Sequence, residues 1–337
     1  MPQGITYLNA SYNQLISTTL HYISSLRIQE YIIAGNPPPQ PRLLEASVKD
    51  WQPSSISGKW ATFNDEQHAP AFSAFLDKLH QTETAKKHPV FKKEVSDWLT
   101  RLVDDSSLRE KTFSIAIDAT ASCEDQVTFT YHQMKNAERT HSAESGKYDN
   151  NLPELVDIGR ENFRLEQLED IAREKIQQLN AKDSAEVDDI EVFLGYQNRL
   201  RDTLELTTVT PEMRFFGASD ITEDDLLQAE ASVKASENDT FPTWFAQWGA
   251  WHKTVGRIAP DEWEKANDDK HQHYEKTFST LVETKLKPSR LENNDDAIRK
   301  IGVEALKETE KTVFESMTNR ILTKKHISDL FTPRWAR

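Results

Sequence analysis

A thiol followed two residues later by a carboxylate, Cys123 and Asp125, is the pair in this 337-residue chain best suited to a covalent step. Cys123 is the only cysteine, so no disulfide within the chain holds the fold, and a thiolate is both a nucleophile and a leaving group. The run Thr120, Ala121, Ser122, Cys123, Glu124 reads as a loop feeding a helix that carries Val127, Tyr131 and Met134. Ser122, with Asp125 three positions on, resembles a capping box and predicts Cys123 at the first helical position. Unpaired N–H groups and the helix dipole there favour a thiolate, whereas the adjacent Glu124 and Asp125 oppose one. A division of labour suits this setting: Cys123 exchanges thioesters, while Asp125 orients an incoming lysine amine and takes its proton. The plain alternative is that a lone cysteine is an inert small hydrophobe.

Rival chemistry is thinner. Of ten histidines, His132 and His141 lie nearest Cys123 in sequence, but His132 sits more than two turns along the same helix, which argues against a Cys–His dyad. His271 and His273 are two apart on a predicted helix, where side chains diverge, and no third ligand is close, so no metal is expected. Trp244, Trp248 and Trp251 recur at helical spacing beside Phe241 and Phe245, a pattern that reads as core, with a partner-binding face as the alternative. Asp188 with Asp189, and Asp224 with Asp225, read as helix starts. No glycine loop cradles a phosphate, and no cofactor is expected.

These residues need elements to hold them, and the composition favours helices. Glycine is scarce at 10 residues and 28% of the chain is charged, with a mean hydropathy of −0.70, which suits a helical chain with a thin core and an extended shape. The net charge of −14 and the lack of a basic stripe make nucleic acid and anionic membranes poor partners. No apolar run reaches the ~18 residues of a membrane helix and no leader follows Met1, and with one free thiol the expectation is a soluble chain in a reducing compartment.

Helical periodicity dominates from Pro70 onward. Phe72, Phe75, Leu76 and Leu79 share one face, and Phe91, Val95, Trp98, Leu99 and Leu102 another. Further helices are marked by Leu165 to Leu179, by Phe193, Tyr196, Leu200 and Leu204, and by Leu226, Ala229 and Val233 behind a Thr222 and Asp225 start. A helix from Pro260, a break at 287–294 and a helix through Ile298 to Ile321 predict an αα-hairpin. The first 40 residues differ: Ile5, Leu8, Asn13 and Leu15 follow a leucine-rich-repeat cadence that ends at Gly35, Asn36 and Pro37. One or two repeats do not bury their own face, so this segment is a cap or the stub of an array. The expected class is all-α, elongated, with a C-terminal helical hairpin and a short repeat remnant.

The stretch FSIAIDATASCEDQVTFTYHQMKNA closely resembles the catalytic segment of the bacterial novel E3 ligase (NEL) family of type III effectors, whose Cys-x-Asp loop enters a helix. The likeness continues through HAPAFSAFLDKL, GKYDNN, LVDIGRENFRLEQLEDIAREKI, EVFLGYQNRL, EMRFFGASDIT and FPTWFAQWGAWH, and so covers nearly the whole chain in order. The resemblance implies a thioester-forming ubiquitin ligase. A host ubiquitin-conjugating enzyme would charge Cys123 with ubiquitin, and Asp125 would support transfer to a lysine of a host protein, with Asp149 helping to line the site. It also implies type III secretion into the host cytoplasm, with the nucleus as an alternative, and no cofactor or metal. The implied division is a repeat remnant at 1–40, a catalytic subdomain at 41–210 and a C-terminal helical subdomain at 211–337, the break falling near Thr207, Thr208 and Pro211.

Three departures stand out: Gln126 where the family usually has Arg, Tyr131 where Trp is common, and Asn151 in place of a common Asp. With the repeat array nearly absent, substrate choice and autoinhibition are expected to be largely missing unless another polypeptide supplies them. Two other readings stay open on the residues alone: a helical adaptor with Cys123 silent, and a cysteine hydrolase that would need an essential histidine.

Overall fold

Helix-start and helix-stop residues cut the chain into amphipathic pieces, and the pieces bury one face each. The structure, a computed structural model, describes residues 7–9, 30–32, 42–52, 57–119, 123–182 and 188–335. In the N-terminal region β1 (Tyr7–Asn9) and β2 (Glu30–Ile32) pair in parallel, Tyr7 opposite Glu30 and Asn9 opposite Ile32. Ile5, Asn13, Leu15 and the exit at Gly35 to Pro37 lie outside the described residues.

Everything else that is regular among the described residues is helical, in keeping with the all-α expectation. The first group comprises α1 (Leu44–Lys49), α2 (Ser57–Trp60), α3 (Ala69–Leu79), α4 (Glu83–Lys87), α5 (Pro89–Asp104) and α6 (Ser106–Ile115). Proline in the first turn of α3 and α5 fits where no N–H partner is needed, and the Asp105 side chain caps α6 by accepting the Leu108 N–H at 2.9 Å. The predicted apolar faces of α3 and α5 are buried around Trp60, Trp98 and Phe113. Phe72 stacks on Phe113 with ring centroids 4.7 Å apart.

Two long helices then tie three cores together. α7 (Glu124–Glu144) gives Val127, Tyr131 and Met134 to the first core and Ala143 to the second. α8 (Leu152–Lys182) gives Leu155, Ile158 and Phe163 to the second core and Leu168, Ala172 and Ile176 to a third. α9 (Asp189–Arg199) completes the third core; it stops at Arg199, so Leu200 and Leu204 pack from a turn, with Glu205 at φ 51°, rather than from the helix their spacing suggested.

α10 (Glu223–Gln247) opens with the expected capping box of Thr222 and Asp225. The tryptophan stripe does not lie on one helix: α10 ends at Gln247, Trp248 caps the turn, and α11 (Gly249–Ile258) carries Trp251. It is core nevertheless, since Trp251 is buried and its indole N–H reaches Thr318 Oγ1 at 2.8 Å. α12 (Pro260–Leu281) and α13 (Asp295–Lys324) form the expected antiparallel hairpin. His271 and His273 are both exposed on α12. Among the described residues no helix is long and apolar enough to cross a membrane.

Candidate active site

The cysteine itself starts α7. Cys123 lies in extended backbone (φ −66°, ψ 173°), and its Sγ accepts the Gln126 N–H at 3.5 Å. This corrects the expected capping box: the thiol takes the cap, one position before the first helical residue, and Ser122 lies outside the described residues. The thiol is exposed. A sulfur in this position faces the unpaired N–H groups of the first helical turn, the positive end of a 21-residue helix.

Asp125 has the opposite environment, with 1% of its surface exposed. Its Oδ1 accepts the backbone N–H of Arg214 at 2.9 Å, and its Oδ2 that of Phe215 at 2.8 Å. Glu124 completes the junction: one oxygen accepts the Glu83 N–H, and the other pairs with Arg214 Nη1 at 2.8 Å. That hydrogen bond to Glu124 raises the pKa of the Arg214 guanidinium further. Both carboxylates that seemed to crowd the thiol are therefore turned toward N–H donors and a cation.

Two more ionisable groups converge here. Lys78 on α3 donates to the Ala119 carbonyl at 3.1 Å; burial lowers its ammonium pKa, and the charge of Cys123 acts against that lowering. Glu191, in the first turn of α9, is buried, and its Oε2 has no hydrogen-bond partner. Burial first, then the charges of Asp188 and Asp125, push its carboxyl pKa up. Sequence reasoning by residue type missed Lys78, Glu191, Arg214 and Phe215, yet each falls in a stretch that carries the family likeness: HAPAFSAFLDKL, EVFLGYQNRL and EMRFFGASDIT.

The other predicted site residues go elsewhere. Asp149 forms a two-pronged pair with Arg257 of α11, at 2.7 and 2.8 Å. It lies past the far end of α7, about 30 Å of helix from Cys123. There the GKYDNN motif is a helix–helix turn: Gly146 adopts φ 91°, Arg257 also bonds the Ala143 and Glu144 carbonyls, and Asn151 caps α8 through the Glu154 N–H. His132 is buried against Gln197 and Thr210, and His141 pairs with Asp105. Neither histidine is the partner of the thiol. Of the departures from the family pattern, Tyr131 packs edge-on against Phe91 and Trp98. Gln126 uses only its backbone on the sulfur.

A family model described as "C-terminal novel E3 ligase, LRR-interacting" matches residues 46–262. The E3 ubiquitin-protein ligase SlrP of Salmonella typhimurium (strain LT2) is 43% identical over 308 residues, covering 87% of this chain and 40% of SlrP. SspH1 of Salmonella typhimurium (strain 14028s), also named an E3 ubiquitin-protein ligase, is 42% identical over 318 residues, covering 93% of this chain and 44% of SspH1. The E3 ubiquitin-protein ligase ipaH9.8 of Shigella sonnei is 40% identical over 285 residues, covering 83% of this chain and 51% of ipaH9.8. The chain spans about half or less of the length of these relatives. With the family model matching residues 46–262 and relatives 40–43% identical over 83–93% of the chain, this chain belongs to the novel E3 ligase (NEL) family.

Proposed function

We propose that this chain is a ubiquitin-protein ligase that carries ubiquitin as a thioester on Cys123. The observation that carries the reading is the exposed Cys123 thiol at the N-terminal mouth of α7, in a chain whose relatives are named E3 ubiquitin-protein ligases. In the first step the Cys123 thiolate attacks the thioester carbonyl of a charged ubiquitin-conjugating enzyme. A new C–S bond forms and the donor's cysteine leaves as thiolate. In the second step a lysine amine attacks the Cys123 thioester; the C–N bond forms, the C–S bond breaks so that the Cys123 thiolate departs, and the proton of the amine passes to Asp125 or to the departing thiolate. The first-turn N–H groups of α7 favour negative charge on the sulfur, which makes it a better acceptor and a better leaving group.

Asp125 supports the second step. Its charge attracts and orients the lysine ammonium, and each oxygen keeps a second lone-pair site after accepting one N–H. Burial means that proton acceptance by Asp125 requires the Arg214 and Phe215 backbone to move off it, whereas orientation by charge does not. With Gln126 in place of the family's usual Arg, the positive charge beside the thiol comes instead from Lys78.

The partners follow from this chemistry: a charged conjugating enzyme, ubiquitin and a host protein with an accessible lysine, met in the host cytoplasm after type III secretion. In this reading residues 1–40 are a leucine-rich-repeat remnant or cap, and 41–210 and 211–337 are the catalytic and C-terminal subdomains. An adaptor with a silent cysteine fits poorly with an exposed thiol, and a hydrolase fits poorly with His132 and His141 engaged elsewhere. The test is a non-reducing gel after mixing the protein with activating enzyme, a panel of conjugating enzymes, ubiquitin and ATP. A ubiquitin adduct that disappears with reductant and with Cys123→Ala is the expected result. A protein that accelerates lysine modification with no such adduct overturns it.

A further inference from the structure

The residues 207–215, with no regular structure of their own, are laid along one face of α7 by a series of polar side chains, two of them buried and Arg139 half-buried. Asp125, His132 and Arg139 are spaced seven apart, two turns each, so they share one face of the helix. Each takes a different part of the segment, in reverse order. Asp125 accepts the N–H groups of Arg214 and Phe215. His132 Nε2 accepts the Thr210 N–H at 2.9 Å, and Arg139 Nη1 donates to Thr207 Oγ1 at 2.6 Å. Other elements hold the same residues from outside: Glu161 of α8 accepts the Thr208 N–H at 2.8 Å, Asn198 of α9 donates to the Thr210 carbonyl at 2.9 Å, and His88 meets Glu212 at 3.1 Å.

We infer that this segment is a positioning strap for the transfer step, and that His132 is its central positioning residue, acting through the backbone of 210–215 on Asp125. The inference rests on the reading of Cys123 as the ubiquitin carrier and Asp125 as the residue that supports transfer to lysine. The Arg214 guanidinium acts on Asp125 only through its charge; the two hydrogen bonds on Asp125 come from backbone N–H groups of irregular chain, so its position is only as fixed as that chain. His132 is 3% exposed and fixes the chain four residues upstream, with Nδ1–H directed to Gln197 Oε1 at 3.3 Å and Nε2 left as the acceptor. Loading of Cys123 needs the thiol and the donor but not the strap, whereas lysine attack needs Asp125 in register.

Single-turnover measurements separate the two steps: the rate of ubiquitin thioester formation on Cys123, and the rate of its discharge to free lysine. His132→Ala is expected to leave loading within about twofold and to slow discharge about tenfold or more, a displacement effect on a positioned group. His132→Gln, whose amide oxygen can accept the Thr210 N–H, is expected to restore most of the discharge rate, a rescue that a purely structural role does not predict. Should His132→Ala fold poorly, Asn198→Ala loosens Thr210 from the other side and is expected to give the same selective loss. Equal loss of both steps, unchanged discharge, or no rescue by Gln overturns the strap. If the unaltered protein forms no thioester on Cys123, the ligase reading itself fails, and that outcome is visible before any His132 variant is made.

Discussion

Two buried carboxylates organise this molecule, and they are satisfied in opposite ways. Glu237, with 0% side-chain exposure, sits between Arg160 and Arg164 of α8, at 2.7 and 2.6 Å, and also accepts the indole N–H of Trp335 at 2.9 Å. Arg160 and Asn238 further tie the Leu330, Thr332 and Trp335 carbonyls. Asp125 is equally hidden but is held by two peptide N–H groups of an irregular segment. Cations lock Glu237 and with it the C-terminal residues, whereas Asp125, beside an exposed thiol, is held by neutral backbone donors whose segment is fixed in turn by side chains of α7, α8 and α9. The difference separates a charge-paired clamp from a carboxylate that, in the proposed function, supports transfer.

Substitutions should therefore split into those that stop transfer and those that unfold the chain. The largest effect is expected from Cys123→Ala, which should abolish both thioester formation and lysine modification. Its stability should change by no more than about 0.5 kcal/mol, because the thiol is exposed and its cap bond is weak. Thermal melts beside the transfer assay check this, and a large loss of stability would place Cys123 with the clamps. Glu237→Ala should do the reverse: removing the carboxylate that two buried guanidinium groups share costs about 3–5 kcal/mol, read from urea unfolding, with activity per folded molecule retained.

Asp125→Asn falls between these two. Its amide offers one acceptor where two N–H groups need one each, so stability should fall by about 1–3 kcal/mol. Discharge to lysine should fall about a hundredfold, and loading much less. Equal loss in both steps would make Asp125 a clamp like Glu237.

Acid should distinguish the two regions more gently. Burial lowers the His132 pKa to about 4 from its ordinary 6.5, so the folded protein refuses a proton that the unfolded chain accepts. Stability from His132 is complete above about pH 6.5 and declines as pH falls toward 4, by about 3 kcal/mol in all. His252, also lowered by burial, adds to the same window. Burial tends to raise the Glu237 carboxyl, but the hydrogen bonds from Arg164, Trp335 and Arg160 and the charge of Arg164 together outweigh it and lower the pKa below its ordinary 4.5. Its contribution is therefore present above pH 4.5 and lost only below it. Unfolding midpoints against pH should show the His132→Gln variant flatter between 6.5 and 4, with the drop below 4.5 unchanged. Parallel curves would remove His132 as a source of acid sensitivity.

Much of the scaffold was legible in the chain because local rules and burial agree there. The apolar faces of α3 and α5, the Thr222 start of α10, the Pro260 start of α12 and the hairpin break at 287–294 all follow from helical period and capping residues. Where the reading slipped, a local signal competed with tertiary packing. Ser122 and Asp125 have capping-box spacing, but Asp125 finds better donors in the backbone 89 residues away. The tryptophan stripe keeps helical spacing across a helix break because both helices bury against α13 and its neighbours. Asp149 sits in a motif of the right family but serves a turn, with Arg257 as its partner.

The sequence by itself determined the helices, the one thiol able to carry an acyl group, and the family, since periodicity, a cysteine count and motif order are properties of neighbouring residues. Tertiary structure alone decided that the thiol is exposed while the carboxylate two residues away is buried. Two residues, about 200° around the helix, separate outside from inside, and the segment 207–215, arriving from far along the chain, supplies the N–H groups that let Asp125 be hidden there.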